Sequence, residues 1–242
     1  MTTATKVHDD ADALAEAVAE ALIQRLAEVQ AEGRVPSVCL TGGTIAGLVH
    51  RKLASSLNGF DVDWDEVDFW WGDERYVDAT SDDRNAVQAR RDLLDHMDVD
   101  PERVHEMPSH DSGLTLDEAA QAYSDEIRAQ GGRQFDVVML GLGPDGHIAS
   151  LFPGSHQIDV DDRIAVAVPD SPKPPPERIS LTFGALNHTR AVWFIVSGAD
   201  KAEAVARSRG DLDLHGAPAT GVTGTGEIVW WLDAAAARAV DS

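Results

Sequence analysis

A single cysteine, Cys39, leaves the chain without any internal disulfide and excludes the stapled scaffolds of small secreted proteins. It lies in the apolar run Val38, Cys39, Leu40, which marks it as a small core residue rather than a nucleophile. No apolar run approaches the ~20 residues that a membrane-spanning helix needs. The N-terminus, MTTATKVHDDADAL, lacks the basic and then apolar blocks of a secretory signal. A cytoplasmic protein is expected. Lysine is scarce as well: 4 Lys and 16 Arg stand against 29 Asp and 13 Glu, a formal net charge of −22. Such a surface repels nucleic acid and anionic lipid, so neither is an expected partner. It also repels a small anionic substrate unless a local cluster of basic side chains reverses the field inside a pocket. The few basic residues beside glycine loops therefore carry information. The acidic excess further suggests a chain suited to high salt, where screening relieves self-repulsion.

What is present is an alternation of strands and helices over 242 residues, with no linker and no internal repeat. Residues 9–32 read as an amphipathic helix ended by Gly33, with Leu14, Val18, Leu22, Leu26 and Val29 at helical spacing. Val35–Leu40 reads as a strand and Ile45–Leu57 as a helix. Val67–Trp71 reads as a strand, followed by a charged loop and a helix capped by Ser81 or Asp82. Leu116–Ala129 reads as a helix, Val137–Leu140 and Ile164–Val168 as strands, and Pro169–Pro176 as an irregular proline loop. Arg178–Phe183 and Ala191–Val196 read as strands, Ala202–Arg207 as a helix, Ile228–Leu232 as a last strand and Ala234–Val240 as a last short helix. The pattern predicts a single α/β domain over 1–242, a Rossmann-like parallel or mixed sheet with helices on both faces. Trp70, Trp71, Trp230 and Trp231 read as core and sheet packing.

Three strand ends carry chemistry. Thr41-Gly42-Gly43-Thr44 joins a strand to a helix start, where backbone N–H groups and the helix dipole favour an anion, although a tight turn needing small residues has the same pattern. Asp73-Glu74-Arg75 follows a buried strand, where open α/β sheets bind ligands, although a solvated ion-paired loop reads alike. Phe135–Ser155, FDVVMLGLGPDGHIASLFPGS, runs from a buried strand into a glycine-rich loop holding Asp145 and His147. Its formal GxGxxG pattern does not make a dinucleotide site: Pro144 removes an N–H, and Pro153-Gly154 break the chain too soon for the long helix. His147 stands apart from His8, His96, His105, His110 and His156, which sit in polar, turn-like or helix-end contexts. Imidazole titrates near neutral pH and can take a proton from water and return it; a histidine that merely caps its loop is the other reading. Asp-x-His supplies too few ligands for a metal.

TGGT at 41–44, FWWGDERYV at 69–77, GLGPDGHIASLFPGS at 141–155 and SGADKAEAV at 197–205, with PERISLTFGALN at 176–187 and the final WWLDAAAA, together resemble the 6-phosphogluconolactonase family. That family shares its fold with glucosamine-6-phosphate deaminases. Thr41 stands where the family more often has Ser. The resemblance implies a deaminase/ribose-isomerase/CoA-transferase-like fold. It implies hydrolysis of 6-phospho-D-glucono-1,5-lactone to 6-phosphogluconate, the second step of the pentose phosphate pathway, without metal or cofactor. It also implies His147 as the general base and Asp145 as its support. Arg75, Lys201 and the amides of Gly42, Gly43 and Thr44 would bind phosphate, with Asp73 and Arg178 as further substrate contacts. The expected partner is a sugar-phosphate lactone, and the expected assembly a monomer or small homo-oligomer. Glucosamine-6-phosphate deaminases resemble the chain at DGH but usually continue with Phe, Asn and Glu. Here no carboxylate follows His147 before Asp159. A non-catalytic sugar-phosphate-binding protein is the remaining alternative.

Overall fold

The computed structural model describes residues 2–57, 62–132 and 134–240. Six strands form a parallel sheet: β1 (Thr2–His8), β2 (Ser37–Leu40), β3 (Asp68–Trp71), β5 (Val137–Leu140), β8 (Ala191–Val196) and β9 (Glu227–Asp233), in the order β1-β9-β8-β5-β2-β3. Their inner strands are buried on both faces, which is why they read as unbroken apolar runs rather than as alternations. The alternation appears in space instead. Val138, Leu140, Val192, Phe194, Trp230 and Leu232 enter one core; Val137, Met139, Trp193, Ile195, Val229 and Trp231 enter the other. The four tryptophans expected in the core are all buried, and Trp230 stacks on Phe194 with ring centroids 3.9 Å apart.

Helices α1 (Ala11–Ala31), α2 (Thr44–Ser56) and α3 (Asn85–Asp92) cover one face. Helices α4 (Leu116–Ala129) and α6 (Ala202–Ser208) pack on the other, with the short α5 (Phe183–Asn187) beside them. Asp10 caps α1 by accepting from the N–H of Asp12 and of Ala13, and Gly33 at φ 75° turns the chain out at its end. Thr115 and Glu118 form a capping box at the start of α4.

The fold class agrees with the sequence reading, and several elements differ from it. The N-terminal residues form β1, which pairs with all of β9; TTATKVH is too polar to look like a buried strand because it is an edge. A second, antiparallel sheet, β4-β7-β6, stands beside the first and contains β4 (Asp73–Arg75), β6 (Ala165–Val168) and β7 (Arg178–Leu181). The charged segment after β3 is thus a strand and not a loop. Neither Ser81 nor Asp82 caps α3. Its N-cap is Arg84, and the Glu74 carboxylate receives the N–H of Asn85 (2.7 Å) and of Ala86 (2.8 Å) from a distance of eleven residues or more. Phe183, read as the end of a strand, instead opens α5, where Thr182 accepts the Ala185 N–H. The last helix is a 3-10 turn at Ala236–Ala239.

The strand order reverses between β2 and β5. From β2 the chain moves outward to β3, and from β5 it moves the other way to β8 and β9. The crevice outside the carboxyl ends of such a pair of strands is where open α/β sheets bind ligands. TGGT leaves β2 there and the Asp145–His147 loop leaves β5 there. Among the described residues, no helix is long and apolar enough to cross a membrane.

Candidate active site

The crevice opens into a cleft of about 280 Å³, lined by residues of six segments that include Gly42, Gly43, Asp73, Arg75, His147, Arg178 and Lys201. A neighbouring cavity of about 480 Å³ shares Gly42, Gly43 and Lys201 and adds Thr44. Of the residues singled out in the sequence, Thr44 alone among the wall residues lines only this second cavity.

Asp145 and His147 form a tight pair. His147 Nδ1 lies 2.5 Å from Asp145 Oδ1, which also accepts the His147 N–H at 3.3 Å. An ionised carboxylate fixes the proton on Nδ1 and leaves the Nε2 lone pair free to accept one. The loop is shaped for this contact. A β-carbon on Gly143 would lie 1.9 Å from His147 Nδ1, and Gly146 has φ 89°. Ala149, on the cleft wall, holds φ 45°, a conformation costly for a residue with a β-carbon. Phe152 packs against the imidazole with centroids 4.5 Å apart. Burial lowers the His147 pKa from its ordinary value; Asp145 opposes that and nearby Lys173 adds to it. Burial also resists charge on Asp145, but the imidazole contact and Lys173 outweigh it and hold the carboxyl below its usual range. At neutral pH the pair is a neutral imidazole against a carboxylate.

Strand geometry sorts the charged trio. Side chains alternate along β4, so Asp73 and Arg75 face the cleft while Glu74 turns into the body of the protein. Burial pushes Glu74 up to about 7, against Arg84 and the three backbone N–H groups of Ala86, Asn85 and Arg75. Arg75 stands directly opposite Arg178 across the β4–β7 pair. Like charges so placed repel, and the arrangement suits an anion between them. Arg75 Nη1 donates to the Asp83 carbonyl at 2.5 Å, while its buried Nε has no partner. Arg178 is nearly buried, 3.9 Å from Asp73 Oδ2. Its Nε donates to the Pro175 carbonyl and its Nη2 to those of Lys173 and Pro174. Asp73 is engaged as well, receiving Ser150 Oγ at 2.6 Å. Gly43 N–H is paired with Gln88 Oε1 at 3.0 Å, so the turn offers an anion this amide only if Gln88 gives way.

Two polar cleft residues lay outside every segment weighed for chemistry. Lys173 belongs to the proline loop, and nothing in SPKPPP shows that the loop folds back over His147. Asn85 starts α3; its Nδ2 donates to the Asp73 carbonyl at 2.8 Å. Two of the chain's four lysines, Lys173 and Lys201, thus converge on one cleft in a strongly acidic protein. Cys39 is fully buried, and burial pushes its thiol well above the usual range, which leaves it inert. His105, read as incidental, is a buried structural residue stacked on Trp70 and bonded to Glu126 at 2.7 Å. Among the described residues no cluster of three or more His, Cys, Asp or Glu is placed to hold a metal.

Comparison with known proteins places the whole chain among named relatives. A model of the family described as glucosamine-6-phosphate isomerases/6-phosphogluconolactonase matches residues 9–230. The 6-phosphogluconolactonase of Streptomyces coelicolor is 41% identical over 240 residues, covering 96% of this chain and 92% of its own. That of Mycobacterium tuberculosis is 41% identical over 250 residues, covering both chains fully at 100%. Among solved structures, a 6-phosphogluconolactonase from Thermotoga maritima superposes with a TM-score of 0.84 at 29% identity, over 96% of this chain and 100% of its own. A monomeric glucosamine-6-phosphate deaminase superposes at 0.80 with 19% identity, over 99% of this chain and 100% of its own, and shares the fold. On this match across nearly its whole length, the chain belongs to the glucosamine-6-phosphate isomerase/6-phosphogluconolactonase family.

Proposed function

We propose that the chain, working as one domain over residues 1–242, hydrolyses 6-phospho-D-glucono-1,5-lactone to 6-phosphogluconate, with His147 as general base. The observation that carries this reading is the Asp145–His147 pair set in a cleft with four cations, Arg75, Lys173, Arg178 and Lys201. A phosphate dianion entering an acidic protein needs that local reversal of field. Arg75 and Lys201, from different strand ends, hold the phosphate together with the glycine turn, and Arg178 and Asp73 shape the wall around the sugar. Positioning of this kind turns the encounter of water and lactone into a local event.

His147 Nε2 takes a proton from water as its oxygen adds to the lactone carbonyl. The tetrahedral intermediate then expels the ring oxygen, which receives that proton from the imidazolium. The C–O bond of the ring breaks, one water is consumed, and the product is the open-chain acid. A lactone is reactive enough that a base and positioning suffice, with roughly 10²–10⁴-fold from the base. Among the described residues the one carboxylate on the cleft wall is Asp73, which is committed to Ser150 and faces Arg178. Among the described residues lining the cleft no acid stands free to assist ring opening of an amino sugar, which favours the lactonase over the deaminase.

Two assays decide. Product formation from the lactone, followed through a coupled dehydrogenase, should exceed spontaneous hydrolysis; a rate equal to the blank sinks the proposal. Release of fructose 6-phosphate from glucosamine 6-phosphate would establish the deaminase instead.

A further inference from the structure

Lys173 is held with unusual care for a lysine at the surface. Ser171 Oγ donates to the Lys173 carbonyl at 3.0 Å and accepts the Lys173 N–H at 3.2 Å. Arg178 Nη2 donates to the carbonyls of Lys173 and Pro174, at 3.2 Å each, and Nε to that of Pro175 at 3.1 Å. The Ser171 N–H closes the loop onto the Pro176 carbonyl at 2.9 Å. A nearly buried arginine thus spends three donor contacts on the backbone of one short loop.

The side chain so placed ends at the back of the catalytic pair. Lys173 Nζ lies 3.4 Å from His147 Nδ1 and 3.9 Å from Asp145 Oδ1. Nδ1 already donates to Asp145, so the ammonium makes no hydrogen bond to it. It acts as a charge, on the side of the ring away from Nε2. The other charged groups that bear on the pair are Asp73, from β4, and Asp145 itself. Lys201 and Arg178 face Lys173.

We propose that Lys173 is a positioning residue for the Asp145–His147 pair: fixed by Arg178 through the proline loop, its ammonium holds Asp145 ionised and opposes protonation of the imidazole. The inference rests on His147 being the base. Its chemical sense comes from the substrate. A phosphate dianion bound in the cleft draws a proton onto any nearby imidazole, and a protonated base cannot accept one from water. A fixed cation behind the ring opposes that effect without occupying Nε2.

The test uses Lys173→Met and Lys173→Arg in the full chain, with the His147 imidazole followed by NMR titration alongside pH profiles of kcat and kcat/KM. Lys173 is half exposed, so either side chain is accommodated without disturbing the core. In Lys173→Met the His147 midpoint should move to higher pH, and kcat/KM should fall roughly tenfold at pH 6 and far less at pH 8.5, the loss expected when one like charge leaves a titrating base. Lys173→Arg should restore most of both. An unmoved midpoint overturns the proposal. So does a rise in KM that is the same at every pH, which would make Lys173 a phosphate ligand. The underlying reading fails separately: His147→Ala retaining full activity would remove the base, while the NMR midpoints would still report on Lys173.

Discussion

A β-carbon on Gly42 would lie 1.8 Å from Oδ1 of Asn85, so the glycine turn after β2 and the start of α3 meet with no room for a methyl group. Asn85 cannot swing aside freely, because its Nδ2 holds the Asp73 carbonyl at 2.8 Å. Gly42→Ala should therefore cost about 1–3 kcal/mol, as overpacking does, and lower activity by moving β4. Urea denaturation of Gly42→Ala, Asn85→Ala and the double variant should give a double variant more stable than the sum of the two losses. Strict additivity would mean that the two residues do not compete for this space.

His147→Ala should lower kcat by roughly 10²–10⁴-fold while leaving the melting temperature close to that of the parent. In the parent, burial resists charge on the ring and sets its pKa below the ordinary imidazole value. Activity should therefore persist below that value and be lost on further acidification. An acid limb of kcat/KM above the ordinary imidazole range would contradict this.

His50 should make the fold sensitive to acid. It is fully buried in α2, neither ring nitrogen has a partner, and burial holds its pKa at about 4, with Asp92 opposing and Arg51 assisting. The unfolded chain binds this proton near 6.5. The contribution to stability is complete above about 6.5 and drains away as pH falls toward about 4, by on the order of 3 kcal/mol at most. Urea midpoints of His50→Met should depend less on pH across that window than those of the parent. Equal slopes would exonerate His50.

Added salt should raise the melting temperature. The net charge of −22 is spread over the surface, and raising ionic strength from about 0.1 M to 1 M shortens the screening length from roughly 10 Å to 3 Å. A melting temperature that falls with sodium chloride would show that the exposed ion pairs, such as Lys52–Asp12 at 2.7 Å, outweigh the general repulsion.

The parallel sheet was legible because its inner strands are short and apolar, and β2, β5 and β8 each run within two residues into a glycine. Val137–Leu140 and Ala191–Val196 were read to the residue, as was α4, although the capping box that starts it was not. The edge β1 was not, since a strand with solvent on one side has no apolar signature of its own and owes its form to β9. The cap on α3 was missed for a related reason: Glu74 reaches Asn85 and Ala86 through space, and local sequence rules look only a few residues ahead. The strand ends of the site carried their chemistry in adjacent residues, so Asp145 and His147 stood out. Lys173 did not, because its place depends on Arg178 gripping the proline loop from β7.

The pairing of β1 with β9 also has a consequence for how the chain comes to be folded. Residues 2–8 are made long before their partners, 227–233. Until synthesis reaches the final strand, β1 has no neighbour and Trp193, Phe194 and the rest of β8 form a bare sheet edge. Between the making of β8 and that of β9 the nascent chain therefore carries an adhesive margin, and the pairing of β1 with β9 is a late, long-range event of the kind that slows folding.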